Sequence, residues 1–260
     1  MTDPTPTDDG DGSLPGSDLN IREPPVILLP VRVMEGQTVA APLVEFLAPA
    51  EIVILGYHVL PEQTPVEQAS MQFEDRAQEA VADIAETFRA AGRDPDTRIV
   101  FTHNRDQTVN RVATEVGATA ILLPNPTGPI ETVLVPLRGA IDTNRLADLV
   151  ATLVGAEQGE VTLWGLSPED SPFDPDQAVT QAADRLRNRG LSDAQITTDT
   201  AAGGTVRDII DRSDDYDIVV MGAGGTSLLS LLFGEDSERV AEGAVAPVLV
   251  VRGMASDTDA

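Results

Sequence analysis

Two stretches of this chain, VILLPVRV at residues 26–33 and TVLVPLRG at residues 132–139, each read as an apolar strand, a proline and an arginine, with Arg32 and Arg138 in the same place. The segments after the two copies also run in parallel. An amphipathic helix comes first (Val39, Leu43 and Leu47; then Leu146, Leu149, Val150 and Leu153), then a second strand (Ile52 to Val59; Val161 to Leu166) and an acidic loop. A longer helix comes next, with apolar positions Val66, Ala69, Phe73, Ala77, Ala80, Ile84 and Phe88 in one copy and Ala178, Val179, Ala182 and Leu186 in the other. Each long helix ends in glycine, at Gly92 and Gly190. The chain is therefore an internal duplication of an α/β unit.

Strands that alternate with helices and read as continuous apolar runs belong in a parallel sheet buried on both faces. Each copy continues with a third strand and helix, Arg98 to His103 with Val109 to Val116, and Gln195 to Thr200 with Val206 to Ile210. The fourth strands are Thr119 to Leu123 and Ile218 to Met221. There the copies diverge, because the first passes through NPTGPI (Asn125 to Ile130) straight into the second, with no fourth helix and no fifth strand. The expected fold is an α/β open parallel sheet with helices on both faces, in two tandem repeats of which the first is truncated.

Only the second repeat carries a glycine loop. From Asp217 to Arg252 the chain reads DIVVMGAGGTSLLSLLFGEDSERVAEGAVAPVLVVR, in the order strand, glycine loop, apolar segment, Gly234, charged helix, strand. A glycine loop at the carboxyl end of a parallel strand leaves backbone N–H groups unpaired, and the absence of Cβ lets a phosphate approach them. The same glycines also suit a tight strand-to-helix turn with no ligand at all.

Over roughly residues 25 to 252 the sequence resembles the tandem, haloarchaeal type of the universal stress protein family. The carriers are VVMGAGG, LLFG, SERV and PVLVVR, in that order, supported by the paired LLPVR and LVPLR strands. The resemblance implies the universal stress fold, which is like that of the adenine nucleotide alpha hydrolases, as an open five-stranded sheet that usually dimerises. It also implies a nucleotide site between the first strand and the glycine loop. The family's ATP-binding members carry G-x-x-G, nine residues, then G-[ST]. On that pattern the candidate site is Gly222, Ala223, Gly225, Gly234, Glu235, Asp236 and Ser237, with Arg138 facing them from the first strand.

The sequence departs from that pattern at both ends of the site. Eight residues separate Gly225 from Gly234, and Glu235 and Asp236 stand where a small hydroxyl residue normally meets phosphates. The aspartate that ATP-binding members place after Pro-x is Arg32 in one repeat and Arg138 in the other. A carboxylate where phosphates would sit repels them, by several kcal/mol at about 4 Å and an effective dielectric near 20. Arg138 is accordingly expected to pair with Glu235 or Asp236 and fill the pocket. Both acids as solvated surface is the alternative.

Acids are weak evidence in this chain. It has 43 Asp plus Glu against 17 Lys plus Arg, for a formal charge of -26, and every base is arginine. Such a surface repels itself at low salt and stays hydrated when ions screen it, with a Debye length of about 3 Å at molar salt. A high-salt cytoplasm is the expected setting. The surface has the wrong sign for DNA, RNA or anionic lipid, which argues against nucleic-acid binding and direct membrane insertion.

There is no cysteine, so disulfides, thiol nucleophiles and thiolate metal sites are excluded together. No apolar run approaches the ~20 residues of a membrane span, and Met1 to Asn20 lacks the pattern of a signal peptide. The expected organisation is an acidic disordered tail at 1–24, a truncated repeat at 25–130, a complete repeat at 131–253 and a short tail at 254–260.

Enzyme chemistry has little support. His58 and His103 fall near strand ends where ligands bind in this architecture, but without metal-ligand spacing, and both read as polar strand-end residues. Ser227, Ser230 and Ser237 have no histidine in their own repeat to act as base. Carboxylate pairs such as Asp214 and Asp215 are too common here to mark acid-base work, and Trp164 reads as core filling.

The expectation is a non-catalytic, cytoplasmic stress-response or regulatory protein without a cofactor, acting as a homodimer and through partner contacts. The alternative is a nucleotide-binding module that takes ATP with Mg²⁺ and hydrolyses it slowly or not at all. GAGGTSLLSLLFG and VPLRG also look like universal stress domains that accompany amino-acid transporters, which would make a transporter the partner. Pro247 to Val251 reads as an apolar edge strand, open to sharing within the chain or to pairing with another chain through Leu249.

Overall fold

A computed structural model describes residues 19–138, 142–157, 159–167, 172–202, 206–222 and 246–252. The first repeat supplies β1 (Val26–Arg32), α1 (Ala41–Leu47), β2 (Glu51–Val59), α2 (Val66–Ala90), β3 (Asp96–Thr102), α3 (Arg105–Glu115) and β4 (Ala120–Leu123). The second supplies β5 (Thr132–Leu137), α4 (Thr143–Glu157), β6 (Glu160–Ser167), α5 (Pro175–Arg189), β7 (Ile196–Ala202), α6 (Val206–Ser213), β8 (Ile218–Gly222) and β9 (Val248–Val251).

Helix ends reflect their local chemistry. Asn104 and Asp174 cap α3 and α5 by accepting the N–H of Gln107 and Gln177. Gly190 closes α5 with φ of 110°, a left-handed conformation that a side chain would strain.

Among the described residues, nine strands join one sheet in the order β3-β2-β1-β4-β9-β8-β5-β6-β7. Pairing is parallel throughout except between β4 and β9. The two repeats therefore run in opposite directions, and the carboxyl ends of their strands lie on opposite edges of the sheet. One edge carries the ends of β1 and β2, and the other carries the ends of β5, β6 and β8.

β9 is the strand that joins them. On one side Val248, Leu249, Val250 and Val251 pair with β4, and on the other side they pair with Val219, Val220, Met221 and Gly222 of β8. Of the two uses the sequence leaves open for this strand, sharing within the chain is the one observed, and the reading of it as an uncovered edge with Leu249 available to another chain is corrected: Leu249 is fully buried at the middle of the sheet. The physical reason is that the truncated repeat leaves the hydrogen-bonding groups of β4 unpaired, and the fifth strand of the second repeat satisfies them.

Helices α1, α2, α4 and α5 cover one face in a single apolar core that includes Leu43, Phe88, Leu149 and Leu186. On the opposite face α3 and α6 contribute Val109, Val112 and Ile209 to a second core, with Leu28, Leu134 and Val250 beneath them. The duplication reaches to single residues. A Cβ on Gly56 of β2 would collide with Val81 of α2, and one on Gly165 of β6 would meet the Pro175 carbonyl at 2.7 Å, so each repeat uses glycine to let its long helix cross close to its second strand.

The segment before β1 belongs to this body from Leu19 onward. Leu19 packs against Gly155 of α4, the Asn20 N–H donates to the Arg189 carbonyl at 3.0 Å, and the Arg22 N–H donates to Asp148 Oδ1 at 3.2 Å. Asp148 and Arg189 form a buried ion pair at 2.5 Å between α4 and α5. Residues 19–22, read from sequence as part of the acidic tail, thus strap the first repeat to the helices of the second.

Candidate functional site

The sheet places the two arginines of the duplicated strands at opposite edges, and they meet different surroundings. Arg32, at the end of β1, is held on three sides. Its backbone N–H donates to Gln37 Oε1 at 2.9 Å, its side-chain Nε donates to the Tyr57 hydroxyl at 3.1 Å, and its Nη1 donates to Glu35 Oε2 at 3.1 Å. Burial works against its charge, but the bonds to Tyr57 and Glu35 outweigh that and hold its pKa above the ordinary arginine value. The Arg105 guanidinium, from the first turn of α3, lies 5.7 Å from the centre of the Tyr57 ring. Side chains of the first repeat itself thus engage the Arg32 guanidinium and the Tyr57 ring at this edge.

Arg138, just beyond β5, is half-buried, and its Nε has no hydrogen-bond partner. The sequence explains the difference. Arg32 lies beside Tyr57 in the β1–β2 register, and because Leu137 pairs with Gly165, the residue beside Arg138 is Leu166, which has no hydroxyl to offer. Gly222 ends β8, with Val251 of β9 beside it. Ala223, Gly225, Gly234, Glu235, Asp236 and Ser237, and with them the expected ion pair to Arg138, lie outside the described residues. So do Ser227 and Ser230.

Below Gly222, β8 is anchored by Asp217. Its Oδ2 accepts the Glu131 N–H at 3.0 Å and both the N–H and the hydroxyl of Thr132 at 2.8 Å. Desolvation would raise its pKa, but those three donors outweigh it and hold the carboxyl below the usual aspartate range. In the first repeat Thr119 stands in the same place and accepts the Val26 N–H through its hydroxyl.

His58 sits edge-on to Phe73 and Phe101, with ring centres 6.0 and 6.2 Å away, and His103 Nδ1 lies 3.3 Å from the Leu60 carbonyl. Among the described residues no group of three or more His, Asp or Glu side chains is arranged to hold a metal ion. Trp164 is buried in the second core, as read from sequence, but it also carries the Arg212 guanidinium 4.4 Å from its ring centre, and Arg212 bridges to Asp199 at 2.7 Å.

Sequence reasoning missed three arrangements: Arg105 on Tyr57, Arg212 on Trp164, and the Asp148–Arg189 pair. The signal for the first two was an arginine in the third helix of each repeat together with an aromatic residue on its second strand. A groove of about 360 Å³ lies between α1 and α2, lined by small residues such as Ala41, Ala48 and Ala90 with one carboxylate, Glu45, and no base. Its polarity does not suit phosphate.

At this edge of the second repeat, β8 ends in Gly222 and Arg138 follows the neighbouring parallel strand β5. Residues 129–252 match the universal stress protein family. The fold of the whole chain is similar to that of a universal stress protein from Archaeoglobus fulgidus DSM 4304, at 14% identity and a TM-score of 0.59, covering 87% of this chain and 96% of that one. A functionally unknown protein from Pseudomonas aeruginosa PAO1 aligns over 91% of this chain and 94% of its own, at 14% identity and a TM-score of 0.48. A universal stress protein solved in complex with cAMP aligns with 47% of this chain and 97% of its own, at 22% identity and a TM-score of 0.38. No curated protein sequence matches the chain. Among the described residues no helix is long and apolar enough to cross a membrane.

Proposed function

We propose that this chain is a non-catalytic stress-response or regulatory protein of the universal stress type, working in a cytoplasm of high salt through contacts with a second copy of itself or another protein, a transporter among them. The observation that carries the reading is the closure of the first repeat's edge, where Tyr57, Glu35 and Gln37 occupy Arg32. Side chains of the repeat itself already engage the Nε and Nη1 of this arginine, and displacing those two bonds would cost about 1 kcal/mol or more each. In the second repeat, Glu235 and Asp236 in place of a phosphate-binding hydroxyl residue point the same way.

A second reading has its own support. Arg138 Nε lacks the partner that Tyr57 gives Arg32, which leaves its guanidinium less engaged by the protein than that of Arg32, and ATP with Mg²⁺ would draw on it.

Purified protein, denatured to release bound nucleotide and titrated with ATP and Mg²⁺ by calorimetry in molar KCl, separates the two. The first reading predicts no retained nucleotide and no saturable heat. Tight binding would replace it with the second. Light scattering in the same salt checks the homodimer: twice the chain mass is expected, and a monomer would remove it.

A further inference from the structure

With β9 enclosed at the centre, the outer strands of the sheet among the described residues are β3 and β7, and the two are unlike each other. On β7 the exposed residues are Thr197, Thr198, Asp199 and Thr200, and the Thr200 N–H donates to Asp199 Oδ1 at 2.9 Å. That strand is polar and partly closed by its own side chains. β3 instead carries Ile99, Val100 and Phe101 in succession, with Ile99 and Val100 half-buried. The large apolar side chains exposed among the described residues also belong to this side of the molecule. They are Val59, which pairs with Thr102 of β3, and Val66 and Met71 in the first turns of α2, Met71 being 82% exposed.

The outward-facing backbone groups of β3 follow from its pairing with β2. Thr102 turns its carbonyl inward to the Leu60 N–H at 2.8 Å, and the Arg98 carbonyl lies beside Gly56 of β2. Alternate residues of a strand face the same neighbour, so Thr97, Ile99 and Phe101 direct their N–H and C=O groups away from β2. A row of this kind is a template for another strand. Within the chain β4 meets the same need by taking β9 antiparallel.

We propose that β3 and α2 form the interface of a symmetric homodimer, in which β3 pairs antiparallel with β3 of a second copy about Ile99. The inference rests on the homodimer reading and specifies its surface. Centred on Ile99, the pairing sets Thr97 against Phe101 and Arg98 against Val100, so no like charges are directly opposed. Ile99 is level with Gly56, which Val81 of α2 crosses closely, so the twofold axis passes near Val81. The half of α2 before Val81, with Met71 and Glu74, then lies beside the half after it in the other copy, where Arg89 complements Glu74. Such a contact is self-complementary, as a twofold interface requires. Molar salt screens the formal charge of -26 on each copy and lets them approach.

The test is sedimentation equilibrium of the full-length protein in molar KCl, comparing the wild type with Ile99→Pro and Met71→Glu, each checked for folding by circular dichroism. Proline at position 99 removes an outward N–H and keeps the bonds to β2, and Met71→Glu alters a side chain outside the core, so the second variant decides if the first does not fold. A wild-type dimer is expected, with its dissociation constant raised about tenfold or more in either variant, because each substitution acts on both copies. Hydrogen exchange at Thr97, Ile99 and Phe101 should slow as wild-type concentration rises. A dimer that neither folded variant weakens, or exchange at those residues that ignores concentration, overturns this interface and leaves the homodimer standing. A wild type that stays monomeric removes the homodimer and the interface together.

Discussion

The first repeat ends its sheet on a strand it does not own, and the second repeat owns a strand that it shares. β4 pairs with β9 antiparallel and β8 pairs with it parallel, so one four-residue strand completes both halves. At the functional edges the halves differ again. The Arg32 guanidinium is engaged by Tyr57 and Glu35, while Arg138, with Leu166 next in register, has an Nε without a hydrogen-bond partner. Loss of one terminal strand turns two units into one body, and a single aromatic-to-aliphatic difference leaves the Nε of Arg138 without the partner that Tyr57 gives Arg32.

The largest effect is expected at the shared strand. Leu249→Asp places a charge at a fully buried position in the middle of the sheet, and about 4 kcal/mol or more of stability should be lost. Circular dichroism in molar KCl should show a chain unfolded in both repeats. A folded protein of lower mass would instead revive Leu249 as a contact between chains.

Asp148→Ala breaks the buried pair with Arg189 and also removes the acceptor for the Arg22 N–H. An uncompensated buried guanidinium should cost about 3–5 kcal/mol, with faster hydrogen exchange at Asn20 and Arg22. Unchanged exchange there would mean that residues 19–22 are held by other contacts.

Tyr57→Phe makes the first edge resemble the second by removing the hydroxyl that accepts from Arg32. A loss of about 1 kcal/mol is expected by urea unfolding. No loss would show that Glu35 and Gln37 suffice to close that edge.

The smallest effect concerns Asp217 and its counterpart Thr119, which anchor corresponding strands. Since the folded carboxyl titrates below the ordinary aspartate value, its stabilisation is present above about pH 4 and is lost as pH falls through the lower folded value. Asp217→Asn should flatten the acid limb of the stability profile in that window, and an unaltered limb would contradict the assignment.

Much of this architecture was legible in the sequence. The strand-proline-arginine duplication, the continuous apolar strands and the long amphipathic helices announced the layers and most element boundaries, because each depends on local periodicity. The role of β9 was legible only as one of two alternatives, since an apolar strand of four residues looks the same at an edge and at a centre, and the pairing needs of β4 decide between them. The Asp148–Arg189 pair was hidden for a related reason: its members are 41 positions apart, in a chain where acids are everywhere. The contrast between Arg32 and Arg138 could have been read by aligning Tyr57 with Leu166.

One shared strand making one body of two repeats is the claim most open to direct measurement. The chain's single tryptophan, Trp164, lies in the second repeat, so its fluorescence reports that half, whereas far-ultraviolet circular dichroism reports both. Urea unfolding monitored by the two signals in the same molar KCl should give coincident transitions. A tryptophan transition separated from the dichroism transition would show two halves that unfold independently, and would contradict the shared strand.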